Sequence, residues 1–309
     1  MPCFHPLDAF KPSPDQVAKT GDKRLIFNPS KARNHEPIKV PCGQCVGCRL
    51  ERSRQWAIRC MHEASMYEDN CFITLTFSPE ALEKRKNPKS VDVRDFQLFM
   101  KRLRKKFGSG IRFYHCGEYG ELNARPHYHA CLFNFDFPDK ELWKITESGC
   151  RLYRSKMLEE LWPFGFSTIG SVTFESAAYC ARYIMKKING EQALDHYNDI
   201  DYETGEILSE RKPEYTTMSR RPGIGKKWLE KYMDDVYPHD YVVVNGVKCK
   251  PPKYYDGVLE TERPYEFDEI KEKRLDDISK YAENNTVERL AVREKIQNAR
   301  LKRLHRDKV

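Results

Sequence analysis

The run Arg125-Pro126-His127-Tyr128-His129-Ala130-Cys131-Leu132-Phe133 constrains the chain more than any other. Read as a strand over residues 126 to 135, it sends His127 and His129 to one side, roughly 6 to 7 Å apart along the backbone. Tyr128, Ala130 and Leu132 go to the other side, so one face reads apolar and the opposite face can carry chemistry. The preceding segment, Ile111 to Glu121, alternates in the same way and ends at a turn bearing Gly120, which predicts a hairpin. Such a hairpin brings Glu118, or with less support Glu121, beside the two imidazoles. Nitrogen and carboxylate ligands with open positions suit Mg²⁺ or Mn²⁺ acting as a Lewis acid on a phosphate oxygen. An isolated His-x-His also describes two surface histidines on an edge strand, so this spacing does not decide alone.

A second pattern lies some fifty residues on. From Phe174 to Ile188 the apolar residues Phe174, Ala177, Ala178, Ala181, Ile184, Met185 and Ile188 follow helical spacing. At roughly 100° per residue, Tyr179 and Tyr183 fall about 40° apart and nearly opposite the middle of that stripe, which predicts two exposed, neighbouring phenols. Lys186 and Lys187 flank the same face. A phenol with a pKa near 10 is mostly protonated at neutral pH, so an adjacent ammonium or metal helps to generate the nucleophilic phenolate. Two exposed aromatics on a basic helix is the plainer alternative.

The chain has 309 residues, and 54 Lys+Arg against 46 Asp+Glu give a net charge of +8, which favours a polyanionic partner without identifying one. No run of about 18 apolar residues exists to span a membrane, and no apolar secretory segment opens the sequence. Eleven cysteines then read as reduced thiols of a cytoplasmic protein. Three of them, Cys42, Cys45 and Cys48, repeat around Gly43 and Gly47 so that several thiolates can meet one ion. Zinc needs a fourth ligand, for which Cys3 is the first candidate, with His5 and Cys60 behind it. The alternatives are an iron–sulfur cluster or a tight turn that caps a helix starting near Arg49.

The expected organisation is a cysteine-rich, loop-like segment over 1–48, a catalytic domain over 49–190, an accessory region over 191–264 and a charged helical tail over 265–309. A helix from Leu50 to Tyr67, a strand from Cys71 to Phe77 and a helix capped by Asp92 or Ser90 come first, the last burying Phe96, Phe99, Met100, Leu103 and Phe107. That helix's basic side, Arg94, Lys101, Arg104 and Lys105, is either a solvated face or a track for a phosphate backbone. With the hairpin, a strand within Phe164 to Val172 and the tyrosine helix, the order predicts an α+β antiparallel sheet with helices on one side. Residues 191 to 215 read as an insertion loop. The glycines and charges of Ser219 to Lys227, including Arg220, Arg221, Lys226 and Lys227, suit a DNA-contacting loop or a solvated connector. Asn284-Asn285-Thr286 marks a break and a new cap in the tail. No nucleotide-binding glycine loop is present.

Taken in order, these motifs resemble a known family. Phe72-Ile73-Thr74-Leu75-Thr76-Phe77, Gly117-Glu118-Tyr119-Gly120-Glu121 leading into Arg125 to His129, the Tyr179/Tyr183 helix, Pro41 to Arg49 and Ser219 to Gly225 are similar to the rolling-circle replication initiators of microviruses. They resemble the gokushovirus branch most, within the HUH endonuclease superfamily. Tyr128 stands where an aliphatic is usual, and Arg182 stands where a Lys often sits. The resemblance implies a ferredoxin-like sheet and a metal-assisted nick of origin DNA through a 5′-phosphotyrosine bond. It further implies action on single-stranded origin DNA in the host bacterial cytoplasm, with helicase and polymerase supplied by the host. Without the resemblance, a water-using metal phosphodiesterase and a zinc-containing nucleic-acid binder that does not cleave remain open.

Overall fold

The structure, a computed structural model, describes residues 3–22, 24–32, 35–120, 123–183, 192–201 and 203–303. Two compact units emerge, Ser53–Lys273 and the pairing of Met1–Arg52 with Arg274–Arg306.

Strand β1 (Asn70–Thr76) is followed by helix α1 (Val93–Phe107), whose N-cap Asp92 accepts a hydrogen bond from the Arg94 amide. Next come β2 (Arg112–Tyr119) and β3 (Pro126–Phe133), then the hairpin β4 (Glu141–Ile145) and β5 (Arg151–Arg154). Helix α2 (Lys156–Leu161), β6 (Ser167–Gly170), helix α3 (Phe174–Tyr183) and β7 (Tyr215–Met218) complete the set. The seven strands form one antiparallel sheet in the order β7-β2-β3-β1-β6-β5-β4. Its centre, β2-β3-β1-β6 with helices crossing after β1 and after β3, is the ferredoxin-like arrangement.

The helices cover both faces, not one. On the first face Ile73, Leu75, Tyr128, Ala130 and Leu132 meet Phe96, Phe99, Met100 and Leu103 of α1 and Leu158 and Leu161 of α2. On the second, Tyr114, Cys116, Cys131 and Phe133 are sealed by Ala177, Ala178, Cys180 and Ala181 of α3, and by Ala57 and Cys60 of the long helix Val46–Ala64. The reason lies in the central strands, which carry apolar residues in both phases of the pleat and therefore need two layers. A third cluster, built around Leu229, Met233, Tyr237 and Tyr255, packs helices Lys226–Val236, Lys253–Glu262 and Pro264–Ser279.

Several segments are more regular than the sequence suggests. Leu7–Pro12 pairs with His35–Val40, and helix Pro14–Thr20 opens on a Ser13 capping box. Residues 192 to 210 contain helix Gln192–Tyr197 and a small hairpin, where an insertion loop is expected. The tail breaks as expected: Thr286 caps helix Val287–Arg303, its hydroxyl facing the Arg289 amide at 3.4 Å. No described helix is long and apolar enough to cross a membrane.

Candidate active site

Register, not proximity in sequence, builds the site. Glu118 lies directly across from His127 and Cys116 across from His129, while Thr76 and Thr74 of β1 pair with the same two histidines from the other side. Partners opposite one another share a face, so Glu118, His127 and His129 converge. Nε2 of each histidine is 2.8 Å from Oε1 of Glu118. Burial pushes the Glu118 carboxyl up, but hydrogen bonds from His127 and His129 outweigh it and hold the group below the usual carboxylate range. Nδ1 of His127 donates to the Arg125 carbonyl at 3.0 Å, so an ion bound in this site would be met by Nε2, in place of the proton that Nε2 otherwise gives to Glu118. His129 is held by the Thr74 hydroxyl at 2.9 Å and by the stacked ring of Phe72.

These residues fit a divalent ion. Their donor atoms lie within 4.8 Å of one another, and the buried Oε2 of Glu118 has no hydrogen-bond partner among the described residues. A buried carboxylate oxygen left without a donor is costly unless a cation or water completes it. Glu121, the second carboxylate candidate, lies outside the described residues.

Tyr179 reaches the same place from α3. Small residues on the buried side of this helix let it approach the sheet closely. In consequence the Tyr179 ring is half-buried at the edge of the second cluster, where full exposure was expected. Its ring meets that of His129 edge-on, with centroids 5.0 Å apart and planes at 87°. Arg182 places its guanidinium carbon 6.0 Å from the Tyr179 ring centre. Tyr183 closes the same helix one turn on. Its side chain, Lys186 and Lys187 lie outside the described residues.

Comparisons with known proteins place the chain in a family. A family model described as "Replication-associated protein ORF2/G2P" matches residues 70–188, a span that begins at β1 and runs past α3. Replication-associated protein VP4 of Bdellovibrio phage phiMH2K is 34% identical over 274 residues, covering 85% of this chain and 79% of that protein. Replication-associated protein ORF2 of Spiroplasma virus 4 is 38% identical over 248 residues, 76% of this chain and 72% of the relative. The chain belongs to the microvirus-type rolling-circle replication initiators. No solved structure matches it.

Within this initiator, both departures from the family pattern have visible surroundings. Tyr128 turns to the opposite face, where its hydroxyl accepts from the Asp92 amide at 2.9 Å and donates to Asp95 at 2.6 Å, tying the histidine strand to the start of α1. Arg182 takes the cationic place beside Tyr179.

Other candidates fall away from the site. The basic side of α1 belongs to the opposite layer of the sheet, and Arg104 spends its guanidinium on the Ile111 carbonyl. The loop after β7 leaves at the Phe113 end of β2, five residues and roughly 17 Å along the strand from Glu118. There Arg220, Arg221 and Lys227 are exposed, whereas Lys226 pairs with Glu230 at 3.2 Å and Glu262 at 3.9 Å. Its glycines serve packing. A Cβ on Gly223 would lie 2.3 Å from the Tyr254 hydroxyl, and the Gly225 amide donates to Glu63. The Gly225 amide is therefore engaged by the protein, not turned toward a phosphate.

One residue escaped the sequence reading. The Thr76 amide donates to the Phe166 carbonyl at 2.9 Å, which continues the row Glu118, His127, Thr76 onto Phe166. Phe166 therefore projects on the face that carries His127, two strands and about 10 Å away, and is 66% exposed. Only the pairing of β6 with β1 reveals it.

Cys3, Cys42, Cys45 and Cys48 come together within 4.8 Å. Burial pushes the Cys45 thiol up, but the Phe4 amide and neighbouring donors outweigh this and hold it down to about 6. His5 instead pairs with Glu294 at 2.8 Å, and Cys60 is fully buried in the second sheet cluster. Neither belongs to the group.

Proposed function

We propose that this initiator nicks and rejoins single-stranded origin DNA, with Tyr179 as an attacking hydroxyl and Tyr183 as its partner. The observation that supports this reading is the edge-on contact between Tyr179 and His129, which brings a phenol beside the Glu118, His127 and His129 cluster. The phenolic oxygen forms a bond to the scissile phosphorus while the bond from phosphorus to the 3′ oxygen breaks. The phenol's proton is given up and the departing 3′ oxygen gains one. One phosphodiester replaces another, so a 3′-hydroxyl can later reverse the attack and close a circle without ATP. Mg²⁺ or Mn²⁺ held by Glu118, His127 and His129 would supply Lewis-acid polarisation of a phosphate oxygen. Arg182 stabilises the phenolate electrostatically. Phe166 offers a stacking platform to a base next to the cut, and exposed Arg220, Arg221 and Lys227 can hold phosphates further along. In this reading the protein works inside the bacterial host, which supplies helicase and the polymerase that extends the free 3′ end.

The test incubates purified protein with labelled single-stranded origin DNA and Mg²⁺ or Mn²⁺, then maps covalent adducts by peptide mass. An adduct on Tyr179 or Tyr183, lost in Tyr179→Phe/Tyr183→Phe, is expected. Cleavage that survives the double substitution indicates a water nucleophile. Binding without cleavage in any variant indicates a binder only.

A further inference from the structure

Outside the phosphate chemistry, the strongest constellation is the cysteine group of the unit formed by Met1–Arg52 and Arg274–Arg306. Cys3 precedes the hairpin Leu7–Pro12/His35–Val40, Cys42 and Cys45 follow it, and Cys48 lies in the first turn of helix Val46–Ala64. The sulfurs of Cys42 and Cys48 are 4.0 Å apart, as are those of Cys3 and Cys45. A tetrahedral ion with bonds of about 2.3 Å to sulfur needs edges of about 3.8 Å. Three backbone amides already point at these sulfurs, each at 3.3 Å: Cys42 to Cys3, Cys45 to Cys42 and Phe4 to Cys45. Amide donors of this kind stabilise thiolates, and a disulfide would not need them. The left-handed backbone of Gly43, φ 76°, allows the loop to fold back between Cys42 and Cys45.

We infer that Cys3, Cys42, Cys45 and Cys48 form a tetrathiolate site for a structural zinc ion that folds this unit. The size of the unit's own core supports it. Among the described residues, its buried hydrophobic side chains are Cys3, Phe4, Ala9, Ala32, Cys48 and Leu290, two of which are ligands themselves. So few buried groups cannot offset the ordering of two chain segments, and small units in this position depend on a metal or disulfides. Binding the ion joins residue 3 to residues 42–48, closes the hairpin between them and fixes the start of the helix. All four ligand positions are filled by protein, which makes the site structural and not catalytic. This inference is independent of the proposed strand transfer.

The experiment uses the full chain, purified under reducing conditions without chelator. Mass spectrometry of metals should find about one zinc per chain. Cobalt substitution should give the intense sulfur-to-cobalt absorption and visible bands of a tetrahedral thiolate site, and these should persist in His127→Ala. Cys45→Ser should lose that signal, while Cys150→Ser, at an exposed thiol outside the group, should keep it. Chelation should make residues 3–48 sensitive to protease before the sheet unit. Absence of zinc after reconstitution, disulfides among the four cysteines, an iron–sulfur absorption spectrum, or unchanged cobalt bands in Cys45→Ser would each overturn the assignment. If Cys45→Ser fails to fold, the cobalt spectrum of the unaltered chain decides between four sulfurs and any other ligand set.

Discussion

Tyr179 occupies an unusual environment for a surface-helix phenol, because one edge of its ring rests on a buried histidine while its neighbour Arg182 is exposed. A phenol so placed has little freedom to wander, which suits the attacking role proposed for it. Tyr179→Phe preserves the ring packing and removes only the hydroxyl. Fold and DNA affinity should therefore survive while the first cut slows on the order of 10³-fold or more, as for deletion of other nucleophiles. Single-turnover nicking of labelled origin DNA measures it, and an undiminished rate would remove Tyr179 from the chemistry. Glu118 carries a different burden, since its carboxylate faces both histidines. Glu118→Gln keeps the shape and deletes the charge. Divalent-ion affinity, read by calorimetry, should fall by more than the roughly 10–100-fold lost when only an outer-shell partner is removed. These residues were legible in the sequence because period-two and period-3.6 patterns fix which side chains share a face. The depth of Tyr179 was not, since it depends on how closely the alanine-lined side of α3 sits on the sheet.

At the level of elements, the junction of β1 and β6 is where Phe166 joins the row that holds Thr76 and His127. Gly165 lies against this junction, and a Cβ added there would meet the Thr76 carbonyl oxygen and the Ser78 amide nitrogen at 2.5 Å each. Both are backbone atoms, so the clash cannot be relieved by a rotamer change. Gly165→Ala should cost about 1–3 kcal/mol, visible as a lower urea midpoint, because the strand end must shift. Beyond it Phe166 stands free of the core, so Phe166→Ala should leave stability within about 0.5 kcal/mol of the parent. Its effect belongs to binding. Loss of one base–aromatic stack should weaken single-stranded DNA affinity by about 1–3 kcal/mol, with Phe166→Trp restoring it. Fluorescence anisotropy with a short oligonucleotide separates the cases, and equal affinities for parent and alanine variant would exclude the platform. Phe166 was invisible in the sequence because the run from Phe164 to Val172 shows only that a strand exists. The partner of that strand, and hence the row on which Phe166 falls, is a long-range choice. The same limit hid the edge strand β7 and the pairing of residues 1–52 with the tail.

Over the whole molecule, burial of basic side chains links stability to pH. His62 stacks on Trp228 with centroids 3.5 Å apart and shares a 2.9 Å hydrogen bond with the Tyr255 hydroxyl, joining the long helix to the third cluster. Burial pulls its pKa down to about 3. His115, stacked on Phe96 in the first layer, is likewise driven well below the ordinary range by burial and, after that, by His129. An unfolded histidine titrates near 6.5. Below that pH the unfolded chain takes up protons that the folded chain refuses. The stability held by the neutral imidazoles is thus complete above about pH 6.5 and drains away as the pH falls toward the folded value. Each such histidine contributes a slope of up to about 1.4 kcal/mol per pH unit, or about 2 kcal/mol between pH 6.5 and 5. That is a large share of the roughly 5–15 kcal/mol of a typical domain. His62→Gln keeps a neutral hydrogen-bonding group beside Tyr255 and cannot be protonated. The variant should be less stable than the parent at pH 7, yet lose about 2 kcal/mol less on going to pH 5. Urea unfolding at the two pH values measures the difference, and equal losses in parent and variant would show that His62 is protonated in the folded protein after all.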